Sequence, residues 1–355
     1  MNRESWIESS ITSHESRING IMAWQHIFIN PQRYILRSGW RVAIFFIILF
    51  PLATVLGSIV GLILTGGDPN KAQAYFGHPL AMNILNLLST TSALIASVVC
   101  LRAFDHLPLR SIGYQLHRGW WRDYLIGTGM AAIMITVIVG IEWLAGAVSL
   151  SQSNVPARDL LYGLGISFVF FNLAAAFEEI AFRGYPLQTL LRDMRPAWAV
   201  IITSSLFGIA HSLNPHASIL GLFNTILAGI WLAVAYLKTR NLWLCTSLHW
   251  SWNWTMSAIY GLNVSGLEGI VKTSLFASQQ TGPEWLTGGQ YGPEGGLLVT
   301  VVISLSALLL WRARWLAPSE DFPLGHGSWV VDGGSSGESR ITNHESRARR
   351  PESEN

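Results

Sequence analysis

The chain alternates long apolar stretches with short polar ones. Eight apolar stretches can be distinguished, at about 42–64, 82–101, 124–148, 160–182, 197–214, 219–237, 242–262 and 297–316. An α-helix needs roughly 20 apolar residues to cross the hydrocarbon core of a bilayer. The pattern therefore predicts an all-α, polytopic membrane protein in which about eight transmembrane helices occupy 36–318.

Polar sequence flanks this helical region on both sides. Residues 1–35 are polar and without periodicity, and we expect them to form an N-terminal tail. Residues 319–355 are rich in Gly, Ser and charged residues, a composition typical of disorder. Between the seventh and eighth stretches lies a Gly-rich linker, Gly261 to Gly296, which we expect to lie outside the membrane core.

The basic residues are distributed asymmetrically. If eight helices cross the membrane, all of the 23 Lys and Arg residues except Lys71, Arg158 and Lys272 fall on one side. Loops rich in Lys and Arg mark the cytoplasmic side, so both termini are predicted to be cytoplasmic. Only 12% of the 355 residues are charged and the net charge is +2, which argues against a nucleic-acid partner.

Two adjacent glutamates close the fourth apolar stretch, in the pattern Glu178-Glu179-x3-Arg183. Ionisable groups within a membrane are costly and usually face a protein interior or a water-filled cavity. Neighbouring side chains on a helix point about 100° apart, and Arg183 follows Glu179 by one helical turn. We therefore predict a structural Glu179–Arg183 pair that leaves Glu178 facing a cavity. The alternative is a cluster of charges at the lipid headgroups.

Two later stretches each carry a pair of candidate residues one helical turn apart, and three of these four residues are polar. Phe207 and His211 share one helix face, and His249 and Asn253 share another. An imidazole and an amide one turn apart can donate two hydrogen bonds toward one point, as stabilisation of an oxyanion requires. The alternatives are a packing role for His211 and, around His249, an interfacial belt of tryptophans with polar neighbours.

The three motifs, Glu178-Glu179-x3-Arg183, Phe207-x3-His211 and His249-x3-Asn253, resemble those of the CPBP family. These proteins are CAAX-prenyl-protease and bacteriocin-processing intramembrane endopeptidases, also called the Abi family. The resemblance covers about 160–257. It implies hydrolysis of peptide bonds in a membrane-associated or lipidated protein or peptide.

The resemblance also assigns roles to the candidate residues. It implies that Glu178 and His211 activate a water, and that His249 and Asn253 stabilise the oxyanion. Glu179 and Arg183 match the scaffold positions of the first motif. The family is often classed as metalloprotease, and Glu178, His211 and His249 are a plausible zinc set. The His-Glu-x-x-His pattern of zincins is absent. A cofactor of zinc, another divalent metal, or none thus stays open.

Two other functions stay open at the sequence level. One is a catalytically inactive scaffold or immunity protein of the same family, and the other is a proton-coupled transporter. Paired halves with matching broken helices, which would favour a transporter, are not evident. We expect an integral, multi-pass protein of the plasma membrane of a prokaryote.

The depth of the site raises one difficulty. His211 lies 15 residues after Pro196, about 22 Å at the rise of an α-helix, whereas Glu178 and His249 are expected nearer the cytoplasmic face. Either the fourth and fifth segments extend beyond the bilayer, or the site lies in a deep cavity.

Overall fold

A computed structural model of the protein describes residues 27–30, 35–68, 71, 75 and 77–318. The predicted C-terminal tail at 319–355 and most of the predicted N-terminal tail lie outside the described residues.

The described residues form a helical protein with two very small sheets. The helices are α1 (Ser38–Thr65), α2 (Pro79–Cys100), α3 (Trp120–Leu144), α4 (Ala157–Glu179), α5 (Tyr185–Leu191), α6 (Pro196–His211), α7 (Ile219–Thr239), α8 (Trp243–Trp254), α9 (Glu284–Thr287) and α10 (Leu297–Arg312). Three π-helical segments continue α2, α4 and α8: Leu101–Asp105, Ile180–Gly184 and Thr255–Ile259. Strand β1 (Ile29–Asn30) pairs with β2 (Ile35–Leu36), and β3 (Val148–Gln152) pairs with β4 (Phe276–Gln280), both antiparallel.

Each predicted apolar stretch is helical, which confirms the all-α fold class, but the predicted number of spans is not exact. Within the described ranges, five helices are long and apolar enough to cross a membrane: Ser38–Thr65, Pro79–Asp105, Trp120–Leu144, Ala157–Leu191 and Ile219–Thr239. Helices α6 and α10 are apolar but shorter. Helix α8 carries Thr, Ser, His and Asn because it lies within the protein rather than against lipid.

Helix α8 is the centre of the bundle. Every residue from Leu244 to Trp252 is buried, and the helix packs against α3, α4 and α7. A helix buried on all sides must satisfy its polar side chains internally. Ser251 donates to the carbonyl of Thr128 at 2.7 Å, and Thr246 pairs with the hydroxyl of Tyr114.

Charged residues from three segments that the orientation analysis places on one side meet in space. Arg41 of α1 pairs with Asp105 and lies 3.0 Å from Asp193, and Arg192 lies 3.0 Å from Asp105. Strands β3 and β4, from loops placed on the opposite side, pair with each other. This arrangement agrees with the predicted topology, while the cytoplasmic position of the termini stays a prediction.

The predicted difficulty over depth has a structural answer. The fourth span does not end near residue 182 but continues through the π segment and α5 to Leu191, for 35 residues. Glu178 therefore lies 13 residues before the end of this helix, and His211 lies 15 residues after the start of the next one at Pro196. Because the two segments follow one another through a short turn, the two side chains reach a similar level.

Candidate functional site

The buried ion pair Glu179–Arg183 lies at the junction of α4 and its π segment. Arg183 Nη1 lies 3.1 Å from Glu179 Oε1, and both side chains are fully buried. Arg183 Nη2 donates to the carbonyl of Gly229 on α7 at 3.1 Å, and the guanidinium lies 4.4 Å from the ring centroid of Phe207 on α6. Through these contacts the pair links α4 to α6 and α7.

Close packing of α6 and α7 makes this contact possible. A Cβ atom on Gly229 would lie 2.8 Å from Ser204 Cβ, and one on Gly208 would lie 2.4 Å from Ile226 Cγ1. Small residues let membrane helices approach closely in this way. The carbonyl of Gly229 is thereby brought within reach of Arg183.

His249 extends the ion pair into a chain of three residues. Its Nδ1 lies 2.8 Å from Glu179 Oε1, so the ring donates from Nδ1 to the carboxylate. A carboxylate hydrogen-bonded to one ring nitrogen orients the other one. Here the other one, Nε2, is directed at Glu178 Oε2, at 3.7 Å.

Glu178 lies on the other face of α4 from Glu179, and its side chain is 25% exposed. His211 Nε2 lies 3.8 Å from Glu178 Oε2, at about the distance of His249 Nε2. His211 Nδ1 bonds to the carbonyl of Phe207 at 2.8 Å and must donate, so Nε2 of a neutral ring carries the lone pair. The geometry therefore directs two imidazole nitrogens at one carboxylate oxygen.

These three side chains line a cavity of ≈ 240 Å³, and Asn253 lines the same cavity. Asn253 is half-buried, and within the described part of the chain no hydrogen bond engages its amide. Most of the wall is apolar or aromatic, from α4, α6, α7, α8, α10 and the linker at 261–296: Phe170, Phe171, Ala174, Phe207, Ala228, Trp231, Leu232, Trp252, Val264, Leu267, Ile270, Val299 and Ile303. The structure thus brings Glu178, His211, His249 and Asn253 to one cavity, with Glu179 and Arg183 behind it.

The three candidate metal ligands face each other across the cavity. Glu178 Oε2 lies 3.8 Å from His211 Nε2 and 3.7 Å from His249 Nε2. Among the described residues, no group of three His, Cys, Asp or Glu side chains is arranged to hold a metal ion.

The alternative of an interfacial tryptophan belt around His249 is wrong for two of the tryptophans. Trp250 and Trp252 are each only 4% exposed, so they do not face the headgroups. Trp250 packs on Tyr124 and Phe168, and Trp252 packs on Trp231. Of these rings, Trp231 and Trp252 line the cavity.

The sequence analysis missed the contribution of the linker at 261–296. Ser265 and Glu294 from this segment line the same cavity, together with Asn214 and Asn224. One indication was present in the sequence: Glu294 lies among glycines. A Cβ atom on Gly292 would lie 2.1 Å from the carbonyl oxygen of Asn263, so the glycines mark a segment folded closely on itself.

Residues 160–255 match the family model described as type II CAAX prenyl endopeptidase Rce1-like. The matched segment runs from α4 to the end of α8 and contains every predicted site residue. No curated protein matches the chain. The match supports the resemblance to the CPBP family of membrane endopeptidases that the motifs indicated, over residues 160–255.

Proposed function

We propose that the protein is an intramembrane endopeptidase whose reacting groups are Glu178, His211, His249 and Asn253. The observation that carries the proposal is the convergence of two histidine Nε2 atoms on Glu178 Oε2 inside a largely apolar cavity. A general base must lie within hydrogen-bond reach of the proton it removes, directly or through one water. A water between Glu178 and His211 would satisfy this condition for both.

In the proposed first step, Glu178 takes a proton from this water while the lone pair of His211 Nε2 orients it. The hydroxide attacks the carbonyl carbon of the scissile peptide bond, and the carbonyl electrons move to the oxygen. Asn253 Nδ2 and His249 Nε2 donate hydrogen bonds to this oxyanion. Since His249 Nδ1 already donates to Glu179, its Nε2 can donate only when the ring is doubly protonated. The two flanking carboxylates stabilise that charge.

In the second step the tetrahedral intermediate collapses. The carbon–nitrogen bond breaks, the oxyanion electrons re-form the carbonyl, and Glu178 returns its proton to the leaving nitrogen. The products are a carboxylic acid and an amine, which together contain the atoms of the peptide and one water. Each residue ends in its starting protonation state, so the cycle needs no other reactant.

The expected substrate is a protein or peptide held at the membrane. The site lies within a helical membrane protein, and the cavity wall is mainly apolar and aromatic. A water-excluding site of this kind strengthens the interaction of polar groups with developing charge. Location in the plasma membrane of a prokaryote stays a prediction.

Substitution of Glu178 tests the proposal. Cells that carry the wild type or Glu178→Gln would be compared for membrane-protein fragments that end at a single cut site. Cuts that occur only with the wild type are expected. The matched control is Glu268→Gln, because Glu268 is an exposed glutamate outside the cavity whose side chain is 61% accessible. Its fragments should equal those of the wild type.

The other outcomes are equally informative. Fragments that persist with Glu178→Gln would remove Glu178 from the mechanism. A partner bound equally by both forms, with no cut in either, would favour the inactive scaffold or immunity protein over the endopeptidase.

A further inference from the structure

Glu294 is a second acidic residue that lines the cavity, in addition to Glu178. It belongs to a short 3₁₀ turn, Pro293–Gly295, at the end of the linker that packs against the bundle. Its main-chain carbonyl accepts from Asn224 Nδ2 at 2.8 Å, which anchors the turn to α7. Glu294 thus lies on the part of the cavity wall that the linker supplies, away from the α4 wall that carries Glu178.

The Glu294 carboxylate is held by three hydrogen bonds. Oε1 accepts from Trp252 Nε1 at 3.1 Å, and Oε2 accepts from the backbone N–H of Ser265 at 2.7 Å and from its Oγ at 2.6 Å. Three donors at these distances fix the position of the carboxylate. One of the donors, Trp252, is the residue next to Asn253 on α8, and both Glu294 and Asn253 line the cavity.

All three donors to the Glu294 carboxylate are neutral. No Lys, Arg or His of the described residues forms an ion pair with it, and the described lining of the cavity contains no Lys or Arg. Arg183 is fully buried behind Glu179 and is already engaged there. A substrate segment in this cavity therefore meets a fixed negative charge in surroundings of low dielectric constant, where such a charge acts strongly.

We propose that Glu294 is a specificity-determining residue of this peptidase, an inference that rests on the proposed function. It favours substrates with a Lys or Arg near the cleaved bond, and it disfavours substrates that bring a carboxylate into the cavity. Discrimination of this kind arises as much from repulsion of the wrong substrate as from attraction of the right one.

The test uses the full chain in lipid nanodiscs and a library of short N-palmitoylated peptides with amidated C-termini. The palmitoyl chain holds each peptide at the membrane. Once a neutral parent peptide is cut, variants with Lys, Gln or Glu at each position beside the cleaved bond are compared by kcat/KM. We expect wild type to prefer Lys over Glu at one or more positions by about tenfold or more, equivalent to about 1.4 kcal/mol.

Two variants distinguish an electrostatic role of the Glu294 carboxylate from a purely structural one. Glu294→Gln removes the charge and should reduce the Lys-to-Glu ratio to about threefold or less, on the order of 0.7 kcal/mol. Ser265→Ala removes one donor to Glu294 but keeps its charge. It should retain the wild-type ratio even where it lowers every rate. A purely structural role of Glu294 would instead give both variants the same loss on all peptides.

A comparison on the wild type alone keeps the inference testable if Glu294→Gln does not fold. The wild type should cut the Lys variant of the parent peptide faster than the Gln variant, and the Glu variant more slowly than the Gln variant. An equal or reversed rate would overturn the inference, as would a Lys-to-Glu ratio unchanged by Glu294→Gln. If wild type cuts no peptide of the library, the proposed function itself fails, and the inference fails with it.

Discussion

Removal of the Arg183 side chain gives the sharpest test of how the site is supported. Among the described residues, Arg183→Ala leaves the fully buried Glu179 with His249 as its remaining hydrogen-bond partner. It also removes the bond to Gly229 and the contact with the Phe207 ring. Loss of one partner from a buried ion pair destabilises proteins by about 3–5 kcal/mol. We expect a loss of that size in the free energy of unfolding.

Activity should fall together with stability. Glu179 orients His249 through Nδ1, so a carboxylate freed from Arg183 no longer fixes the direction of Nε2 toward the cavity. The assay is equilibrium unfolding in mixed micelles, with turnover measured on the same preparation under conditions where the variant is folded. The matched control is Arg195→Ala at the exposed start of α6, which should change the unfolding free energy by less than about 0.5 kcal/mol.

A double variant tests whether the loss of stability in Arg183→Ala comes from the unpaired buried charge of Glu179. Glu179→Leu with Arg183→Leu removes both charges, and replacement of a whole buried pair is far less costly than removal of one partner. It should therefore be more stable than Arg183→Ala, while still inactive. If Arg183→Ala unfolds like wild type but has lost turnover, Arg183 takes part in the chemistry and its supporting role is wrong.

Three further predictions concern catalysis, the metal question and packing. Asn253→Ala should lower kcat by on the order of 10²-fold with little change in KM, as for a lost oxyanion donor, and an effect on KM alone would place Asn253 outside the oxyanion site. Chelator treatment followed by desalting should leave turnover unchanged, whereas a loss that zinc restores would show that Glu178, His211 and His249 hold a metal. Gly229→Ala should lower the unfolding free energy by about 1–3 kcal/mol, because the added Cβ would meet the backbone of Ser204. The control is Gly129→Ala, which has open space around it and should not destabilise the protein. Equal stabilities of the two variants would show that α6 and α7 can separate freely.

The helices and the contacts made within one helix could be predicted from the sequence. Apolar runs of membrane length predicted every long helical segment, since the bilayer sets that length. The spacing of Glu179 and Arg183 predicted their contact, because residues one turn apart are neighbours on any α-helix. The order of the three motifs likewise indicated a resemblance to the CPBP family, because that resemblance depends on residue types and spacing that are visible in the sequence.

The contacts between segments could be identified only from the tertiary structure. The bond from His249 to Glu179 joins residues 70 positions apart, and that from Trp252 to Glu294 joins residues 42 apart. Helical periodicity shows which side chains share a face but not which face of another helix they meet. That choice depends on steric fit, such as the approach of Gly229 to Ser204. For the same reason the closure of the cavity by the linker, and the charge that Glu294 brings to it, followed from packing between distant segments and not from local pattern.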